Sequence, residues 1–134
     1  MKTRFLLGML AYILPTFPLG YVWHLVLFHD RYAALAVYRN DLIIPFGLAS
    51  MVIQSVAWAF VYSRLFAGES VLRGALKFAA LAAPLAWSFM VLAVAAKHQM
   101  ASVSGFLLLE TSFTALHYLV VSPLIALAFS SGEK

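Results

Sequence analysis

The chain has 134 residues, of which 64% are hydrophobic and 10% charged, with a mean hydropathy of +0.94. A soluble domain is near half apolar and about a quarter charged, so this composition excludes an ordinary water-soluble fold and makes the bilayer the expected solvent. The absence of cysteine rules out disulfides, thiolate zinc sites and iron–sulfur ligation. A net charge of +4 does not point to nucleic acid, because the nine Lys and Arg are scattered at the ends of apolar runs, where lipid headgroups explain them.

The first apolar run covers about residues 5–28, long enough to cross a hydrocarbon core of roughly 30 Å. Lys2 and Arg4 before FLLGMLAYIL imitate a secretory signal, but no A-x-A-like site follows, so the segment is expected to be retained. Pro15 and Pro18 lie inside it and predict a kink or local unwinding of the first helix. His29 to Asp41 forms the first polar interruption, and its Tyr32 and Tyr38 suit an interfacial turn or short surface helix.

The second span is expected over about residues 42–66, capped by Asn40 or Asp41, with Pro45 in its first turn. Gly47, Ser50 and Gln54, with Ala57, recur at helical spacing and predict a face packed against another helix. Gly68 and Ser70 suit a C-cap and an N-cap, which predicts a short connection between antiparallel neighbours. The third span covers about residues 75–96, with Pro84 as a second kink site and Lys97, His98 and Gln99 at its exit. The fourth extends over about residues 103–129, and the tail SSGEK is expected to fray.

Counting basic residues near helix ends sets the orientation. With the N-terminus inside, Lys2, Arg4, Arg64, Arg73, Lys77 and Lys134 lie inside, against Arg31, Arg39 and Lys97 outside. The expected fold is therefore an all-α integral membrane four-helix bundle, N-in and C-in, with a kinked first helix, forming one domain over residues 1–134. A bacterial inner membrane is the expected location.

Chemistry is sought first among ionisable residues within spans, because burying one unpaired costs several kcal/mol. Glu110 is the only carboxylate well inside a span, and Thr114 and His117 follow at i+4 and i+7 on the same helix face. That stripe places His117 about 10 Å deeper, with Thr114 positioned to bridge the two. His24, one turn from the outer end of the first span, lies at a depth comparable with Glu110, which makes a Glu–His pair across helices geometrically reasonable. His29, Asp30, Asp41 and His98 fall at the same outer level, where solvated boundary residues are the ordinary reading.

His24 and His29 are separated by about 140° around a helix, so they do not form a helical zinc pair; any metal or haem ligation must draw on several helices. No cofactor is required by the sequence. Glycine-rich nucleotide fingerprints and nucleophile elbows are absent.

The element FPLGYVWHLVLFHDRY, with Gly20, Trp23 and an adjoining aromatic ring, resembles small uncharacterised four-span bacterial membrane proteins in the first span and exit loop. The resemblance implies the four-span layout and carries over no activity and no site residue. Three functions are therefore expected in turn. The first is a structural or accessory protein acting through helix–helix contacts, as a homo-oligomer or with other membrane subunits. The second is a proton- or ion-coupled carrier or channel using Glu110, His24, His117 and Thr114. The third is a protein binding a metal, haem or lipophilic ligand on its outer side.

Overall fold

The computed structural model describes residues 2–130, and the tail residues 131–134, Lys134 among them, lie outside the described residues. Helix α1 (Lys2–Tyr21) continues through wider π-helical turns at Val22–Leu27, and a short α2 (His29–Leu35) follows. Next come α3 (Ile44–Leu65), α4 (Val71–Trp87) with π-helical turns at Ser88–Leu92, α5 (Ala93–Lys97) and α6 (Val103–Ser130). No strand occurs among the described residues. Among the described residues, four helical stretches are long and apolar enough to cross a membrane: Lys2–Leu27, Ile44–Leu65, Val71–Lys97 and Val103–Ser130.

α1 stays α-helical through Pro15 and Pro18, so the local unwinding expected there does not occur. The departure from α geometry begins only at Val22, where Phe28 N–H reaches back five residues to the Trp23 carbonyl at 3.1 Å. Just before it, the His24 ring nitrogen Nδ1 takes the Gly20 carbonyl at 2.9 Å. A side chain competing for a backbone acceptor beside a glycine, rather than a missing proline donor, marks where the helix widens. After α4 the wide turns likewise begin at Ser88, one turn beyond Pro84.

Of the capping expectations, Ser70 holds its place at the N-cap of α4, while Asn40, Asp41 and Gly68 do not cap, Phe66 being the C-cap of α3. Asn40 and Asp41 do not cap α3; Ile43 occupies that position without a side-chain cap, and Asp41 pairs with Arg39 at 3.2 Å. Ser70 does stand at the N-cap of α4, but its carbonyl rather than its hydroxyl receives Gly74 N–H, at 2.8 Å. Gly68 takes φ +95°, the left-handed conformation that lets the α3–α4 connection turn in few residues.

Helix α6 is the centre of the bundle. In its most apolar stretch 39% of residues are buried, against 11% to 17% in the other three long apolar helices. It packs on α1 and on α4, while α3 packs on α1, so α3 and α4 are joined by a short turn without being main packing partners. Tyr12, Ala59, Tyr62, Phe78, Tyr118, Val121, Ile125 and Phe129 fill the larger core, in which the rings of Tyr62 and Phe129 stack at 5.1 Å. Gly8 allows this close approach, since a Cβ there would lie 2.5 Å from the Phe129 ring. A smaller core of Tyr32, Leu35, Val91, Phe106 and Leu109 closes the end of the bundle carrying α2.

The face of α3 expected to pack lies elsewhere within the single chain. Gly47, Ser50 and Ala57 are exposed, and a Cβ at Gly47 would meet nothing within 4 Å. Ser55, Ala59 and Tyr62 make the buried contact instead, because the approach to Gly8 of α1 is centred on Ala59. Gln54 sits at the edge between the two faces.

Candidate functional site

At the α2 end of the bundle, one carboxylate oxygen gathers three donors from three separate elements. Glu110 Oε1 lies 3.0 Å from His24 Nε2 in the wide turns after α1, accepts the Tyr32 hydroxyl of α2 at 2.7 Å, and accepts the Tyr38 hydroxyl at 3.0 Å from the following connection. Oε2 takes no hydrogen bond from the described residues. The Glu110 side chain is 7% exposed and that of His24 23%. Tyr38, by contrast, is 44% exposed and reaches inward only with its ring. Trp23 Nε1 donates to the Tyr32 hydroxyl at 3.1 Å and so fixes the direction of that phenol.

Burial pushes the Tyr32 phenol up from its ordinary value, and its hydrogen bond to Glu110 adds to the shift. The Tyr38 phenol is pushed up by burial and then by the Glu110 charge. Both therefore remain neutral donors throughout the physiological range.

The two bonds of His24 count its protons. The Gly20 carbonyl is an acceptor only, so Nδ1 must carry hydrogen. Nε2 and Glu110 Oε1, 3.0 Å apart, then share one further proton between them, held either as imidazolium and carboxylate or as imidazole and carboxylic acid. In both forms the pair is electrically neutral. Two phenols donating to the same oxygen favour the imidazolium–carboxylate form, because charge-assisted bonds to an oxyanion are the stronger kind.

The other expected residues fall in different places. Thr114 does not bridge Glu110 to His117; its hydroxyl donates to the Glu110 backbone carbonyl at 2.8 Å, the usual resting place of a threonine inside a helix. His117 instead pairs with Thr16 Oγ1 at 2.8 Å and sits edge-on to the Tyr12 ring. Tyr12 in turn donates to Gln54, whose amide reaches Ser50 at 2.8 Å. Phe113 stands between the two polar groups, 4.6 Å from the His24 ring and 5.7 Å from that of His117.

His29, Asp30, His98 and Asp41 are not brought together. His29 pairs with Asp30 at 3.1 Å in the open, Asp41 is held by Arg39, and His98 bonds the Val94 carbonyl at 3.2 Å. Among the described residues no group of three or more His, Cys, Asp or Glu side chains converges as a metal site would require.

Tyr32 and Tyr38 are the members of the site that sequence reasoning missed, because aromatic residues in a polar interruption also read as interfacial anchors. Thr16 and Tyr12 carried a usable signal. Gly8, Tyr12, Thr16, Gly20 and His24 recur at every fourth residue, a small and polar ridge along one face of α1. No protein-family model, curated protein or solved structure matches this chain.

Proposed function

We propose that this chain is an integral membrane protein of a bacterial inner membrane, with four spans and both termini cytoplasmic, and that it acts as a proton-coupled carrier through His24 and Glu110. Outward-facing Phe46, Ile53 and Leu119, each at least 70% exposed, support insertion, because water does not tolerate such continuous apolar faces. The lopsided placement of basic residues supports the orientation. Reporter fusions after Gly68 and at the C-terminus should report cytoplasm and one after Tyr38 the outer side; an outward C-terminus overturns this topology.

The observation that carries the proton reading is the single proton shared by His24 and Glu110 beneath a half-exposed tyrosine. An ionisable pair in a span is costly unless it is used, and this one is neutral as held, so it gains or loses charge only by exchanging a proton. In reconstituted vesicles with an imposed pH gradient, the wild type should carry protons measurably with a trapped pH dye. Glu110→Gln should abolish that flux while keeping the fold. Undiminished flux in the Gln variant refutes the reading.

A second reading, assembly with another membrane helix, is favoured by the centre of α3. There the Gln54 amide bonds exposed Ser50 at the edge of a face carrying Gly47. Amides and small residues on a span hold helices together in lipid. With no native cysteine, Gly47→Cys gives a clean crosslinking test: a disulfide-linked dimer in membranes supports assembly, and its absence there and at Ser50→Cys removes it.

A further inference from the structure

We propose that the Glu110 site binds a primary ammonium cation on an apolar body, entering from the outer end by displacing the Tyr38 phenol and replacing the proton shared by His24 and Glu110. This rests on the same pair as the proton-carrier reading and names what the proton is exchanged for.

Three features point to this ligand. The first is the uneven use of the carboxylate: Oε1 has three partners, while Oε2, on a side chain only 7% exposed, accepts nothing from the described residues. Oε2 is thus the free, solvent-touching corner of a largely buried carboxylate, open to a donor from outside. The second is the wall around it. The rings of His24 and Tyr32 are 4.8 Å apart, those of Tyr32 and Tyr38 5.5 Å, and Phe113 lies 4.6 Å from His24. Aromatic faces favour an organic cation, whereas calcium or magnesium wants six or more oxygen ligands and finds one carboxylate here.

The third is the way in. Tyr38 has the longer of the two phenol bonds, 3.0 Å against 2.7 Å, and is the half-exposed member of the group. It sits two residues beyond Ala36, whose φ of 55° is a left-handed conformation rarely adopted by a residue with a side chain. That conformation is the C-cap turn ending α2, so Tyr38 is carried by the irregular connection and not by a helix. Swinging out from Ala36, Tyr38 gives up one hydrogen bond and opens a place beside the carboxylate among the remaining rings.

The proton count then fixes the exchange. Before binding, the pair holds imidazolium and carboxylate with no net charge. When the ammonium enters, the Nε2 proton leaves to the outer water, His24 becomes neutral with Nδ1–H still on the Gly20 carbonyl, and its Nε2 lone pair accepts one ammonium N–H. A second N–H goes to Glu110. Charge in the site is unchanged, and one proton is released per cation bound. The titratable groups facing Glu110 are His24 from the α1 turns, Tyr32 from α2 and Tyr38 from the connection. On the α4 side Trp87 donates to Thr111 at 2.9 Å, and neither carries a charge.

The test uses the full chain in mild detergent with phenethylammonium as the probe, followed by calorimetry in two buffers of different ionisation heat. One proton should be released per probe bound, and affinity should rise about tenfold per pH unit, as one-proton linkage requires. Glu110→Gln should lose both binding and release. Tyr38→Phe, which removes the competing donor and keeps the ring, should bind several-fold more tightly, with helix content by circular dichroism confirming its fold. Binding without proton release, binding retained in Glu110→Gln, or no binding at millimolar probe overturns the proposal. Proton flux in vesicles without probe binding would sink this inference and leave the proton carrier standing. Probe binding with proton release but no vesicle flux would do the reverse.

Discussion

Removing Glu110 and His24 singly and together measures how far each depends on the other. In Glu110→Ala, the His24, Tyr32 and Tyr38 donors lose their common acceptor at a position 7% exposed. Stripping one partner from a buried charged pair costs about 3–5 kcal/mol. His24→Ala removes one of the three donors from a side chain 23% exposed, and hydrogen bonds between membrane helices average about 0.6 kcal/mol with a ceiling near 1.7. A loss of about 1 kcal/mol is therefore expected for His24→Ala alone. Once Glu110 is gone, His24 retains only its bond to Gly20, and its removal should cost little more. The cycle should thus close with a coupling of about 1 kcal/mol, read from unfolding by a denaturing detergent in mixed micelles. Glu110→Gln should be far milder than Glu110→Ala. Its amide oxygen still accepts from the two phenols, and its amide N–H donates to the Nε2 of a neutral His24. Additivity within about 0.5 kcal/mol would refute the coupling, and a Gln variant as unstable as the Ala variant would refute the proton count.

Gly8→Ala should destabilise the bundle by about 1–3 kcal/mol through overpacking against Phe129, and Phe129→Leu should relieve it in the double variant; unfolding midpoints of the two decide. At the other end of the pH scale from the phenols, Glu69 is held below the usual carboxylate range, first by its hydrogen bond from Lys77 and then by the nearby charges of Lys77 and Arg73. A depressed folded value stabilises above the unfolded carboxyl range and is lost as pH falls through the folded value. The stability gap between wild type and Glu69→Gln should therefore be full at pH 7 and close on acidification, and a constant gap would contradict it. For Tyr32 and Tyr38 the folded value is raised, so their contribution is complete below an ordinary phenol's value near 10 and is lost as pH rises beyond it. Absorbance at the phenolate band near pH 11 should be unchanged in Tyr32→Phe, because that phenol is not yet ionised in the folded protein; a reduced amplitude would show that it is.

The apolar runs made the four long helices legible, because length and hydropathy alone decide whether a stretch can cross a bilayer. The meeting of His24 with Glu110 was legible for a related reason: comparable depth and the penalty for solitude narrow the partners of a polar residue in a span. What the sequence left hidden was anything set by local competition for backbone groups. Two prolines drew attention to the middle of α1, yet the helix widens at Val22, where the His24 side chain takes a carbonyl. Likewise Thr114 has the right spacing to join Glu110 to His117 but satisfies itself on its own helix. Tyr32 and Tyr38 were hidden for a third reason. Whether an aromatic residue near a polar turn anchors at the interface or turns inward depends on the path of the connection, and Ala36 sets that path with a backbone conformation its identity does not announce.

The two polar groups follow from one register between α1 and α6. His24 meets Glu110 and Thr16 meets His117. The residue number falls along α1 as it rises along α6, which is the pairing of antiparallel helices. On α1 the two polar contacts are separated by eight residues, about 12 Å of straight α-helix, whereas on α6 they are separated by seven, about 10.5 Å. Straight helices drift out of step by that difference. The wide turns beginning at Val22 lie directly beyond the end of α1 and include His24, so the surplus residue is taken up where the site is built. A single extra residue in a helix re-aims the side chains beyond it. Here those beyond it are the rest of the wide turns and then α2, which carries Tyr32 onto the same carboxylate oxygen as His24, with the two rings 4.8 Å apart. The widened turn, rather than either proline, is thus the element that lets one helix supply an imidazole and the next short helix a phenol to the same oxygen.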